Sequence, residues 1–170
     1  MERQQLIQRI VDQFQVAKVV VLLGPRQSGK TTLARHFARM GILTFNESLN
    51  YFDLEDPAHL ERLVTPKLAL EKLVGLVVID EIQHRPELFP ILRVLTDREN
   101  NPARFLILGS ASRDLIRQGA ETLAGRIGFV EITPFSLVET GPDTADSLWL
   151  RGGFPLSYLA ASDEESWALA

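Results

Sequence analysis

Eight consecutive residues, Gly24-Pro25-Arg26-Gln27-Ser28-Gly29-Lys30-Thr31, match the pattern G-x-x-x-x-G-K-[ST] at every fixed position. The spacing is suited to binding phosphate. Glycines at 24 and 29 let the backbone curl so that N–H groups converge on one anion, and the loop empties into a helix N-terminus whose dipole favours negative charge. Lys30 would reach the β- and γ-phosphates, Thr31 would offer its hydroxyl to Mg²⁺, and Thr32 would begin the helix body. Gly24 through Thr32 is therefore the expected nucleotide-binding segment, with Arg26 facing the phosphates or folding over them. A Gly-rich turn without a ligand is the competing reading.

About fifty residues on, Leu76-Val77-Val78-Ile79 runs into Asp80 and Glu81. In a doubly wound parallel sheet ligands sit at the C-terminal strand ends, so Asp80 would emerge beside the phosphates and hold magnesium through its water shell. Glu81 is the candidate catalytic base. A second carboxylate there can orient and deprotonate a water, which transfer to an acceptor molecule would not require. This favours hydrolysis over a kinase, and no Arg-rich lid segment supports the latter. Gln83 and His84 follow and fit a packing role at least as well as a chemical one.

Phe105-Leu106-Ile107-Leu108-Gly109-Ser110 is a second strand ending in a small polar residue, and Ser110 is placed to sense the γ-phosphate. Arg126, sixteen residues later, could act as an arginine finger on a neighbouring subunit's nucleotide. A salt bridge or a bare surface position fits Arg126 equally well, and Arg113 is a weaker second candidate. His36 and His59 read as helix-surface or packing residues. No His/Asp/Glu group has metal-ligand spacing along the chain.

The elements that must carry these residues follow from periodicity. Leu6, Ile7, Ile10, Val11 and Phe14 recur at helical spacing and predict an opening helix ending near Gln15. Val19–Leu23 is a continuous aliphatic run closed by Gly24-Pro25, as expected of a strand buried on both faces. A helix over 31–40 follows, with Gly41 placed to stop it. Further strands are predicted at 50–54, 76–79, 105–108 and 128–132. Alternating strands and helices predict a three-layer α/β domain with a mainly parallel, five-stranded sheet. Residues 139–147 are acidic and turn-rich and predict a loop or boundary, which places a core in 1–138 and a linker region in 139–170. Ser162 and Glu165 read as a capping box.

Composition narrows the function classes. The chain has 170 residues, 45% apolar and 24% charged, with no cysteine. It can bury one real core, and it lacks disulfides, thiolate zinc sites and cysteine nucleophiles. Its apolar runs fall far short of the roughly 18–20 residues that span a bilayer, and the N-terminus lacks a leader-like pattern, so a cytoplasmic, non-membrane protein is expected. The net charge is −4. Residues 139–170 hold six acids and one base, a local −5 that leaves +1 for residues 1–138, so the acidity lies outside the phosphate loop. A wholly basic nucleic-acid binder is disfavoured. The 14 Arg against 4 Lys leave DNA binding as a weak expectation.

The succession Gly24–Leu33, Tyr51-Phe52-Asp53-Leu54-Glu55-Asp56, Val78–Gln83, Leu108–Ser112, Leu123–Arg126, Pro134–Ser136 and Arg151-Gly152-Gly153-Phe154-Pro155 resembles the prokaryotic predicted ATPases of the AAA+ superfamily. In that family a P-loop core precedes a C-terminal domain of unknown function. The resemblance implies ATP as ligand, with Lys30 and Thr31 for nucleotide and magnesium, Asp80 and Glu81 as the acidic pair, Ser110 as sensor and Arg126 as finger. It also implies the additional-strand sheet order, in which another strand lies between the phosphate-loop strand and the acidic strand. Family members continue further, so the chain reads as a truncated core whose DNA or protein partner would be bound by a missing C-terminal region. Self-assembly through Arg126 is implied as well. A nucleotide-gated binding module with little turnover is the alternative.

Overall fold

The computed structural model describes residues 3–99 and 102–169, leaving out the Arg113 side chain. Five strands, β1 (Val19–Leu23), β2 (Tyr51–Asp53), β3 (Gly75–Asp80), β4 (Ala103–Gly109) and β5 (Ile127–Glu131), form one sheet in the order β2-β3-β4-β1-β5. Every pairing is parallel. The strand β4 lies between the phosphate-loop strand β1 and the acidic strand β3, as the additional-strand order requires. Each predicted strand forms within two residues of its expected bounds.

The strands are almost wholly aliphatic because both faces are covered. Val19, Val21 and Leu23 point to one core with Val77, Ile79, Phe105 and Ile107. Val20 and Leu22 point to the other with Leu76, Val78, Leu106 and Leu108. The second core is closed by α1 (Gln4–Val16), through Leu6, Ile7 and Ile10, and by α2 (Lys30–Arg39), through Leu33, Ala34 and Phe37. On the first face lie two short helices after β2, α4 (Pro57–Arg62) and α5 (Pro66–Leu70), then α6 (Leu88–Thr96) and α7 (Arg113–Thr122). A further turn, α3 (Glu47–Asn50), leads into β2. Each fully buried aliphatic side chain contributes about 1.5–3 kcal/mol relative to exposure. Two periodicities, alternation in the strands and a stripe on each helix, thus produce three layers. No helix among the described residues is long and apolar enough to cross a membrane.

The predicted loop at 139–147 is corrected by the structure. Residues 137–151 are mostly helical: α8 (Leu137–Thr140), a 3-10 turn (Pro142–Thr144) and α9 (Ala145–Arg151). Ser136 and Glu139 form a full capping box at the start of α8, and Gly141 at φ +97° supplies the only sharp turn in the stretch. Turn-forming Gly-Pro was correctly read, but it joins two helical segments. Two more short helices follow, α10 (Pro155–Tyr158) and α11 (Asp163–Ala168). Arg151 ties them together by donating to Asp163 Oδ1 at 2.7 Å and to the Ala160 carbonyl at 2.8 Å. The buried hydroxyls of Ser157 and Ser166 pair at 2.8 Å. At α11, Ser162 Oγ accepts from the Glu165 amide, while Glu165 Oε2 reaches back to the Ala161 amide at 2.9 Å, one residue before the expected Ser162 amide.

Candidate nucleotide site

The loop between β1 and α2 is shaped by three positions. Gly24 packs against the chain leaving β5, where an added Cβ would lie 2.4 Å from the Ile132 carbonyl oxygen. Gln27 at φ +63° and Gly29 at φ +87° take the left-handed backbone that folds the loop inward. Lys30 is buried at the start of α2, and its Nζ donates to the carbonyls of Gly24 at 3.0 Å and Pro25 at 2.8 Å. Burial pushes its pKa down, and Arg26 adds to this, against the opposing pull of Glu81 and Asp80. Ser28 Oγ is fully buried and has no hydrogen-bond partner among the described residues.

Across the sheet, Asp80 is 3% exposed at the end of β3. Its Oδ2 accepts from Thr31 Oγ1 at 2.8 Å and from the Tyr51 hydroxyl at 2.9 Å, and its Oδ1 accepts from the Glu81 amide at 2.9 Å. Burial raises the Asp80 carboxyl above the ordinary value, with the bonds from Thr31 and Tyr51 opposing. The same burial, with the Asp80 charge, pushes the Tyr51 phenol upward. Glu81 sits at φ +56°, a left-handed position for a non-glycine residue. The turn separates the two neighbouring carboxylates: Asp80 faces Thr31 and Tyr51, while Glu81 lines an open cavity of about 460 Å³ with Arg26, Lys30 and Thr31.

The structure therefore brings Gly24–Thr32, Asp80 and Glu81 to one end of the sheet. Ser110 begins beside them at the end of β4, but its recorded contact is through the backbone, whose N–H donates to Gln83 Oε1 at 3.2 Å. Arg126 is not brought to the site. Its carbonyl accepts from the Val19 amide at the start of β1, the opposite end of the strands from Gly24, and its guanidinium pairs with Asp97. Strand direction thus sets Arg126 at the end of the sheet away from the phosphate loop of its own chain. The Arg113 side chain lies outside the described residues.

Several side chains around the site take their place from the fold rather than from local spacing. Tyr51 lies in the segment Tyr51–Asp56 but pairs with Asp80 over 29 positions, which no local pattern encodes. Gln83 donates to Glu81 Oε2, bridging it to Ser110. Glu55 lines the cavity and, with Glu81 and His84, places three ligand atoms within 4.8 Å of one another. This corrects the sequence-based absence of such a group, since the fold rather than spacing assembles it. His59 accepts from the Asp53 amide at 3.0 Å and stacks edge-on against Tyr51, in keeping with a packing role. His36 lines a second, mainly apolar cavity of about 630 Å³, closed by Leu33, Phe135, Leu156 and Leu159. The two cavities share Gly29, Thr32, Pro155 and Leu156.

A phosphate-loop strand, an intervening strand and an acidic strand, with Lys30, Thr31 and Asp80 gathered at their C-terminal ends, define an AAA-type P-loop NTPase domain. An AAA domain family matches residues 16–141, and the chain belongs to it. The curated relatives include the uncharacterized proteins Rv2008c of Mycobacterium tuberculosis and Mb2031c of Mycobacterium bovis, each 48% identical over 167 residues. The match covers 98% of this chain and 36% of each relative, so the chain spans about a third of their length. Among solved structures, the Walker-type ATPase PABY2304 of Pyrococcus abyssi shares the fold with TM-score 0.66 at 14% identity, covering 99% of this chain and 70% of that one. A STAND protein with a tetratricopeptide repeat sensor from Pyrococcus horikoshii does so with TM-score 0.58 at 16% identity, covering all of this chain and 32% of that one.

The residues fit a magnesium nucleotide. The orphaned Ser28 hydroxyl, the glycine cradle and the buried Lys30 suit an anion, and Thr31 with Asp80 offers the hard oxygen donors that magnesium takes directly or through water.

Proposed function

We propose that the chain binds ATP with Mg²⁺ and hydrolyses it, and that nucleotide state is passed to a C-terminal effector region that begins at residues 139–170. The observation that carries this reading is the Thr31–Asp80 bond at 2.8 Å with Glu81 turned into the adjoining cavity. In this proposal the loop from Gly24 to Thr32 cradles the phosphates, with Arg26 at its rim, and Lys30 exchanges its carbonyl partners for β- and γ-phosphate oxygens. Thr31 and Asp80 would hold magnesium, whose charge, when bound, offsets that of the phosphates. Glu81 accepts the proton of the attacking water, and Ser110 donates toward the γ-phosphate. The apolar cavity is contiguous with the phosphate cavity and offers Leu33, Phe135 and Leu156 to a flat base. Arg126, at the far end of the strands, would serve only a nucleotide held by another copy.

Turnover of wild type against Glu81→Gln tests the proposal. Hydrolysis should fall by about 10²–10⁴-fold while ATP affinity is retained, and equal rates would refute a base role for Glu81. Specific activity that rises with protein concentration would support assembly through Arg126, and flat activity would remove it. The alternative of a nucleotide-gated switch with little turnover draws support from the placement of Arg126 away from its own site. Measurable wild-type hydrolysis that is lost in Glu81→Gln would rule that reading out. DNA association is tested by duplex binding across a salt series, where undetectable or salt-independent binding removes it.

A further inference from the structure

We propose that Gln83 is the positioning residue of the hydrolytic step, a side-chain bridge that couples the end of β4 to the Glu81 carboxylate. The inference rests on the hydrolytic reading above and assigns a definite role to a residue that fits packing and chemistry about equally by sequence.

Two contacts at opposite ends of one amide carry it. Gln83 Nε2 donates to Glu81 Oε2, and Gln83 Oε1 accepts from the Ser110 backbone N–H at 3.2 Å. Gln83 sits in the 3-10 turn Ile82–His84, whose first residue, Ile82, is fully buried and anchors the turn beneath the site. The space between this turn and β4 is tight. A Cβ on Gly109 would meet Leu115 at 2.7 Å, Ile82 at 2.9 Å and Gln83 Oε1 at 3.4 Å. The amide is thus packed against the last residue of β4 as well as bonded to the next one.

The bridge has a mechanical and a chemical consequence. Glu81 lies at a left-handed turn on an otherwise solvent-facing rim, and a carboxylate with free rotamers would sample many orientations. Holding Oε2 leaves Oε1 as the oxygen that accepts a proton from water, and positioning of this kind supports rates on the order of 10²-fold. Because the other end of the amide is bonded to Ser110, a displacement of the β4 end is transmitted to Glu81 without any movement of Asp80. Detection at Ser110 and proton acceptance at Glu81 become one mechanical unit.

The experiment measures ATP turnover and, separately, equilibrium binding of a non-hydrolysable ATP analogue, on the full chain of wild type, Glu81→Gln, Gln83→Leu, Gln83→Glu and the double variant Glu81→Gln/Gln83→Leu. Gln83→Leu should lower kcat by about 10- to 100-fold with analogue affinity within about twofold. Gln83→Glu keeps the shape and the acceptor for Ser110 but sets a second carboxylate where the donor to Glu81 stood, and should lose at least a comparable factor. Once Glu81 is an amide the bridge has no base to orient, so the double variant should be no slower than Glu81→Gln. Turnover in both Gln83 variants within twofold of wild type, or losses that multiply in the double variant, would overturn the inference while leaving the function intact. Wild-type protein without Mg²⁺-dependent ATP turnover would overturn the hydrolytic reading, and this inference with it.

Discussion

Arg3 joins the start of α1 to the phosphate loop, the end of β5 and the first helix beyond the core, and replacing it with alanine tests how firmly these parts are held together. Its guanidinium meets Glu139 in a two-pronged pair, Nε to Oε1 at 2.6 Å and Nη2 to Oε2 at 3.1 Å. It also donates to the carbonyls of Ser28 at 3.1 Å and Thr133 at 2.8 Å and lies over the Phe135 ring at 5.2 Å. The two side chains are 7% and 13% exposed. Removing one partner of a buried pair typically costs 3–5 kcal/mol, because the other charge is stranded. Glu139 keeps the amide and hydroxyl of Ser136 as donors, so Arg3→Ala should destabilise by about 3 kcal/mol, at the lower end of that range. For a domain of this size that corresponds to a fall of about 6–12 °C in Tm.

The penalty should depend on pH in a defined direction. Burial would raise the Glu139 carboxyl, but the hydrogen bond from Arg3, the Ser136 amide and the charge of Arg3 hold it below its ordinary value of 4.5. A depressed folded pKa contributes stability that is present above the ordinary value and lost as pH falls through the folded one. In Arg3→Ala burial acts with less opposition, so that contribution shrinks or reverses. Urea unfolding of wild type and variant should therefore show the widest gap at pH 7 and a narrowing gap as pH falls below about 4.5. Adding Glu139→Gln to Arg3→Ala should recover part of the loss, since no charge is then stranded. A gap under 1 kcal/mol at pH 7, or a gap independent of pH, would refute the reasoning.

Lys30→Ala should change intrinsic stability little but abolish stabilisation by magnesium ATP, which in wild type should reach about 2.7 kcal/mol at a ligand concentration 100 times Kd; thermal shift with and without nucleotide measures both. Tyr51→Phe removes one donor from the buried Asp80 carboxylate and should cost about 2 kcal/mol at pH 7. Asp80 already has a raised pKa, so its ionised form is disfavoured in the fold, and the Tyr51→Phe deficit should shrink as pH drops toward that pKa, as read by unfolding at pH 7 and pH 5. Gly24→Ala would drive a Cβ to 2.4 Å from the backbone oxygen of Ile132 and should destabilise by about 1–3 kcal/mol, checked by chemical denaturation.

The parts legible in the sequence are those encoded locally. Val19–Leu23 reads as a two-sided strand because each of its five side chains enters one of the two cores. The phosphate loop reads directly because its backbone needs glycine at Gly24 and Gly29. What escaped depends on distance along the chain. Arg3 meets Glu139 across 136 positions and Tyr51 meets Asp80 across 29, and no spacing rule announces either pair. Residues 139–147 read as a loop or boundary because Gly141-Pro142 and the acidic Glu139, Asp143 and Asp146 outweigh any helical periodicity there, and the helix at 145–151 opens inside that stretch. Arg151, its last residue, caps a small helical cluster held by Ser157 and Ser166.

Lys30 gives its hydrogen bonds to the carbonyls of its own loop, and under the proposed function this would set what the loop can select. Affinity at such a site is a difference between two satisfied arrangements, one closed by neutral carbonyl oxygens and one closed by the ligand. A weakly charged or neutral molecule gains little from the exchange, whereas a chain of phosphates carries enough negative charge to displace both carbonyls together. Under the proposed function, discrimination among mono-, di- and triphosphates would then follow from the closure of the loop on its own lysine, before any contact with base or sugar is made.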